Sequence, residues 1–260
     1  MTRRFCALLL VLVASYGCSP ALPINNQLVV FAAASLKAPL ERVVTTYEAA
    51  HPRIGLTLAF DSSAALRTQI EQGAPVDLFL SADLANPEKL VAGGLGRGPV
   101  TPFAGNALAI VVPADNPAGI ESPFDIAGDG VTIVAAGPEV PITVYAGQLT
   151  EQLAALAAAP PNFGDRYAAN VVSREDNVRA VVAKLELGEA DAGIVYRTDA
   201  IASAKLRTIP LPAGIDVAVS YGGIVIDRSG RAPDAGAFLS WLAGPEGQAI
   251  LADFGYVPVS

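Results

Sequence analysis

The stretch LVVFAAASLKAPLERVV, Leu28–Val44, passes from one periodicity to another without a loop. A β-rich apolar run, QLVVF, ends in three alanines and Ser35. Leu36, Leu40, Val43, Val44 and Tyr47 then recur at helical spacing, a helix predicted over Leu36 to Ala50. The HPRIG segment ends it, because the residue before Pro52 is disfavoured in helical conformation. A strand that runs straight into a helix is the unit of α/β folds. Clearing bulk from the junction while leaving one hydroxyl there makes Ser35 the first candidate functional residue.

The alternation continues outward from that junction. IGLTLAF is followed by a helical pattern over Ala64 to Gln72, and VDLFLS by one over Asn86 to Ala92. After GGLGRGPVTPF, the strand NALAIVVP opens a second series. VTIVAA, NVVS and ADAGIVY read as strands, with helices over Val144 to Ala158 and Asn177 to Leu187. YGGIVI is a late strand, and Asp234 to Leu242 and Pro245 to Phe254 read as helices that return to the first series. The expected architecture is two α/β lobes, each a mainly parallel sheet flanked by helices. Residues 27–105 plus 220–260 form lobe 1, and 106–219 form lobe 2. Ligands of open α/β sheets sit at the carboxyl ends of strands, so function is sought at the strand-to-helix junctions.

The N-terminus reads differently. Arg3 and Arg4 precede FCALLLVLVAS, an apolar run too short to span a bilayer, and the pattern is that of a secretory signal over residues 1–17. SYGCS resembles the lipobox of bacterial lipoproteins, in which cleavage leaves a lipidated cysteine at the mature N-terminus, here Cys18. Ser15 departs from the Leu or Val usual there, which leaves ordinary signal cleavage as the alternative. Residues 18–26, rich in Pro and Asn, suit a tether. Cys6 leaves with the signal, so no partner remains for Cys18 and the mature chain holds no disulfide. Removing Arg3 and Arg4 leaves 15 basic against 25 acidic residues, a change from −8 to −10. Nucleic acid is excluded as a partner on that balance, and any anion site must work through local dipoles rather than net charge.

Each junction has an ordinary reading beside its functional one. Ser35 at a helix start is a cap by default, yet free amides and the positive helix end also make an anion site to which a hydroxyl adds a donor. FDSSAAL repeats the arrangement with Ser62 and Ser63, and Asp61 beside them would repel a dianion or accept a proton from hydrogen phosphate. In GPEVPITVY, prolines before the helix leave the Ile142 N–H free, although proline there is also plain punctuation. EDNVRA starts a helix near Asp176, and GIVYRTDA ends a buried strand in Tyr196.

Taken in order, VFAAASL, FDSSAAL with QIEQGAPVDLFLSAD, GPEVP, YAGQ, EDNVRA, GIVYRTDA and GPEGQAILADFGY resemble the molybdate-binding proteins of bacterial ABC importers, from about Gln27 to the end. The resemblance implies a two-lobed periplasmic-binding-protein fold closing on a bare tetrahedral oxyanion, molybdate or tungstate. It implies Ser35 and Ser63 as hydroxyl and amide donors, Ile142 and Val178 as amide donors, and Tyr196 as a hydroxyl donor. The family commonly has Ala and Gly where this chain has Ile142 and Thr143, and a small residue in place of Asp61. The resemblance also implies a monomer outside the cell membrane that serves a membrane permease, with no cofactor and no direct metal ligand. Binding proteins for sulfate, phosphate or a small organic anion are the near alternatives. An exported serine hydrolase is the distant one: it needs a base, and the single histidine, His51, lies at the far end of the first helix from Ser35.

Overall fold

A computed structural model describes residues 26–259. The predicted signal, Cys18 and the tether as far as residue 25 lie outside the described residues. β1 (Asn26–Ala33) passes through a 3-10 turn (Ala34–Leu36) into α1 (Lys37–Ala50). β2 (Ile54–Asp61), α2 (Ser63–Glu71), β3 (Leu78–Ser81), α3 (Ala85–Ala92) and the long β4 (Gly96–Asn106) follow. A second series holds β5 (Leu108–Pro113), β6 (Ile133–Ala136), α4 (Pro141–Ala154), α5 (Phe163–Asn170), β7 (Val171–Glu175), α6 (Val178–Glu186), β8 (Gly193–Tyr196), α7 (Arg197–Ala202) and β9 (Leu206–Ile209). β10 (Val219–Ile226), α8 (Ala232–Ala243) and α9 (Pro245–Asp253) complete the chain.

The first sheet has the order β2-β1-β3-β10-β4. In the second lobe β5 lies between β8 and β9, and β6 pairs with β7. A bridge between Ile133 and Ala192, with the Val134 N–H donating to the Ala192 carbonyl at 3.1 Å, sets β6 beside the segment entering β8. The second lobe thus reads β7-β6-β8-β5-β9, strand for strand the arrangement of the first.

Each sheet is mainly parallel, as expected, with one strand reversed. β1 runs parallel to β2 and β3, and β6 to β7, whereas β10 and β5 are antiparallel to their neighbours. The cause is the double crossing. A strand that feeds a helix ends at the interface between the lobes, but β5 and β10 each begin there, having just crossed, and run away from it.

Packing follows from the two-residue period of the strands. In β1, Leu28, Val30 and Ala32 join the core under α1, α8 and α9, while Phe31 joins Leu66, Ile70, Phe79 and Leu90 on the other face. Both faces are covered, which is why the run is apolar throughout. On α1, Leu40, Val43 and Tyr47 are buried, and the Tyr47 ring meets Phe238 and Trp241 edge-on at 4.8 and 5.1 Å. Gly223 in β10 lies under Leu239 of α8, and a Cβ there would stand 3.1 Å from Leu80 and closer still to Leu239. That clearance lets α8 settle on the sheet.

Candidate functional site

The strand ends of both lobes meet around one small cavity. Ala33, Ala34 and Ser35 line it from the first junction, Ser62 and Ser63 from the second, and Ala82 from the end of β3. The second lobe contributes Val140 and Pro141, Asn177 and Val178, and Tyr196. Four of the five predicted residues, Ser35, Ser63, Val178 and Tyr196, therefore share one wall. Ile142 stands one residue beyond the lining, and its side chain faces an interior pocket of the second lobe with Tyr167 and Ile194.

Neither predicted serine is a cap. Ser35 sits inside the 3-10 turn, and its Oγ lies 3.0 Å from the Tyr221 hydroxyl. At the second junction the two serines divide the labour: Ser62 caps α2, accepting from the Ala65 N–H at 3.3 Å, whereas the Ser63 Oγ accepts from the Ala82 N–H at 3.0 Å. Asn177, rather than Asp176, caps α6 through the Ala180 N–H at 3.1 Å. Val140 precedes α4 with no side-chain cap. Ser63 and Val178 begin their helices and Ile142 is second in its own, so their amides have no intrahelical acceptor. Three helix N-termini thus converge, each carrying positive partial charge.

No Lys, Arg, His, Asp or Glu lines the cavity. The Tyr196 hydroxyl has no hydrogen-bond partner among the described residues, and burial holds its pKa well above the usual phenol range, so it stays protonated. The space is tight. About 10 Å³ is open to the centre of a water-sized sphere, roughly one water, against the roughly 300–1,000 Å³ of pockets for organic ligands. The arrangement offers donors to something small. Among the described residues no cluster of three or more His, Cys, Asp and Glu is placed to hold a metal ion.

Asp61 does not line this cavity. It lies in the wider groove outside, where its Oδ1 accepts from the Ser62 N–H at 2.7 Å and from Asn177 Nδ2, across the lobes, at 3.5 Å. His51 lies at the far end of α1, exposed, and stacks on Tyr47 at 4.0 Å, so it does not stand beside Ser35.

Sequence reasoning missed the supporting residues. Tyr256 donates to the Ser35 carbonyl at 2.9 Å, and Asn106 reaches both Thr198 and Tyr221. Asp199 is buried behind Tyr196. Its Oδ1 lies 3.6 Å from Arg179, and its Oδ2 has no partner. Burial pushes the Asp199 carboxyl up to about 7, against the pull of Arg179 and of the Tyr196 backbone. These residues come from distant parts of the chain; the one local signal was a tyrosine, Tyr221, beside two glycines in an otherwise aliphatic strand.

Two lobes of like strand order, meeting at a small cavity of hydroxyls and helix N-termini at their strand ends, define a solute-binding protein. The chain belongs to the family described as bacterial extracellular solute-binding protein, whose profile matches residues 28–257. Among its relatives, the molybdate-binding protein ModA of Mycobacterium tuberculosis is 33% identical over 92% of this chain and 88% of its own. A putative ABC transporter substrate-binding lipoprotein of Bacillus subtilis, YvgL, is 32% identical over 88% of this chain and 85% of its own. Of solved structures, the substrate-binding domain of a putative molybdenum ABC transporter from Clostridium difficile superposes with a TM-score of 0.67. It is 28% identical, over 90% of this chain and all of that one.

Proposed function

We propose that this protein captures molybdate or tungstate outside the cell membrane and delivers it to the permease of an ABC importer. The observation that carries the reading is the charge-free lining of the cavity, which brings hydroxyls to three helix N-termini. A bare tetrahedral dianion has acceptors only, and aligned donors can share its charge without a cation. In this reading the ion receives the hydroxyls of Ser35, Ser63 and Tyr196 and the amides of Ile142 and Val178. The relatives named for molybdate support the choice of ion. The phosphate alternative rested on Asp61, which faces the outer groove.

Isothermal titration with molybdate, tungstate, sulfate and phosphate tests the assignment. Molybdate or tungstate is expected to bind most tightly, since sulfate has the same charge and shape but is smaller; sulfate or phosphate binding alone would sink it. The anchor belongs to the same proposal: lipidation at Cys18 keeps the protein at the membrane. Cys18→Ser is expected to release it into the soluble fraction with ion affinity unchanged. Persistent membrane association of that variant would remove the lipid from the account.

A further inference from the structure

Asp199 Oδ2 is the one fully buried side-chain oxygen or nitrogen among the described residues without a hydrogen-bond partner. Its residue is third in α7, which begins where β8 ends, so the carboxyl stands in the turn behind Tyr196 of the cavity wall. The other oxygen faces Arg179 of α6 at 3.6 Å, longer than a hydrogen bond, and that guanidinium is 43% exposed, so water screens its charge. Tyr196, Tyr221 and Tyr256 face the carboxyl from β8, β10 and the C-terminal segment. Burial, with nearby Asp199 among the further causes, holds all three phenols above their usual range, so they stay neutral. Arg179 is thus the only charged group among these neighbours. A buried carboxylate with one screened cation and a bare oxygen is costly, and protonation relieves it. Burial accordingly pushes the Asp199 carboxyl up to about 7, against the pull of Arg179. Near neutral pH the group is divided between its two states.

We infer that Asp199 is a further residue of the binding reaction that never touches the ion: capture of the dianion draws a proton from solvent onto its carboxyl, and release returns it. The inference rests on the oxyanion reading above and adds the regulation of that site. No charged side chain lines the cavity, so nothing there shields a bound dianion from a negative charge behind the wall. Two such charges repel more strongly in a buried setting than in water, so the ion competes with the carboxylate and tolerates the neutral carboxyl. The coupling is reciprocal: a proton on Asp199 tightens the ion by the factor by which the ion tightens the proton. The sign follows. Affinity is full where Asp199 is protonated in the empty protein, falls as pH rises through its titration, and levels off once the loaded protein has also lost the proton. Arg179 follows Val178 at the start of α6 and is partly exposed, so solvent reaches the carboxyl from the side of the pair.

Calorimetry of molybdate binding at about pH 7.5, in two buffers of different ionisation enthalpy, counts the protons taken up. For a coupling of about tenfold, about half a proton is expected per ion bound, and affinity should fall about tenfold between about pH 6 and about pH 9. Asp199→Asn keeps the shape and cannot take the proton, so uptake should vanish and affinity stay level across that range. Arg179→Gln withdraws the pull that favours the carboxylate, so the fall should begin at higher pH; this variant carries the test if Asp199→Asn does not fold. His51→Gln, which replaces the single histidine at the far end of α1, should leave uptake unchanged. A merely structural role for Asp199 would lower the melting temperature of the Asn variant and leave its proton uptake at the wild-type value. That result, uptake lost in His51→Gln, or wild-type protein that binds molybdate without uptake overturns the inference alone. Wild-type protein that binds no molybdate at any pH overturns the inference and the oxyanion reading together.

Discussion

In the first lobe β3 runs out at Ser81, in the second β8 runs out at Tyr196, and an aspartate follows each at the start of a helical segment. Asp83 is fully engaged: it accepts from Ser81 Oγ at 2.7 Å, from the Asn86 N–H at 3.0 Å and from Asn86 Nδ2 at 2.8 Å. Asp199, at the matching place, is buried with one oxygen bare. The lobes differ in the same sense at the cavity. The first presents serine hydroxyls that are hydrogen-bonded from behind, Ser35 with Tyr221 and Ser63 with the Ala82 N–H, and the second presents helix amides and a tyrosine hydroxyl with no partner among the described residues. One strand order therefore supports two chemistries: the first lobe's donors depend on side chains, whereas most of the second lobe's belong to the backbone and tolerate replacement. In the proposed reading Ile142 serves through its amide, so its side chain can vary without removing a donor.

Val178 offers the sharpest way to break this contrast. Proline is tolerated at the first position of a helix, where its missing N–H had no intrahelical acceptor. The preceding Asn177 is already extended, at φ −157° and ψ 167°, as a residue before proline requires. Val178→Pro should therefore leave the fold standing while deleting one charge-assisted donor. Affinity for molybdate is expected to fall up to about 100-fold, and Val178→Ala to change it less than about threefold. Calorimetry on both variants decides the matter: equal losses would mean that the side chain, not the amide, serves the site.

The contrast between Asp83 and Asp199 predicts a smaller effect, on stability. Asp199 titrates in the fold near 7 rather than near the ordinary value of about 4. The folded state thus holds a proton that the unfolded state has lost across that window, so stability falls as pH rises from about 4 to about 7 and levels off above it. Between pH 5.5 and 6.5 this one group contributes a loss of about 1 kcal/mol. Asp199→Asn carries no such proton. Urea unfolding at the two pH values should show the wild-type slope reduced in the variant; an unchanged slope would mean that Arg179 keeps Asp199 ionised throughout.

How far the fold and site were legible turns on the range of the interactions. The junctions were readable because strand and helix periodicities are local, and the cavity wall drew on those junctions. Helix α4 begins three residues before its predicted start because Pro141 sits inside it as its first residue. β4 was hidden by Gly96, Gly98, Pro99 and Pro102, which carry no strand signal, and it exists through pairing with β10 more than 100 residues later. α5 follows Asn162 in the left-handed region, at φ 57°, and is short, with Phe163 its one buried residue. The residues that orient Ser35 were invisible for the same reason: Tyr221 is 186 positions away and Tyr256 is 221. No local pattern links them, and only the return of the chain to the first lobe brings them together.

Asp61 is where the comparison can be sharpened most finely, since it is an acid of the first lobe that is hydrogen-bonded to the second. From sequence it stood beside the ion, able to take a proton from hydrogen phosphate. In the fold its carboxylate is spent on the Ser62 N–H and on Asn177, at the lip of the outer groove. A charge so placed acts on the ion only through space, and salt screens it, with a Debye length of about 10 Å at 0.1 M and about 3 Å at 1 M. Asp61→Asn keeps an oxygen for the Ser62 N–H and removes the charge. It should tighten molybdate and hydrogen phosphate alike, about twofold at low salt and not measurably at 1 M salt. The ratio between the two ions is then unchanged. A ratio that moves with Asp61→Asn would mean that the carboxylate reaches the ion after all, and that the first lobe supplies an acceptor as well as its two serine donors.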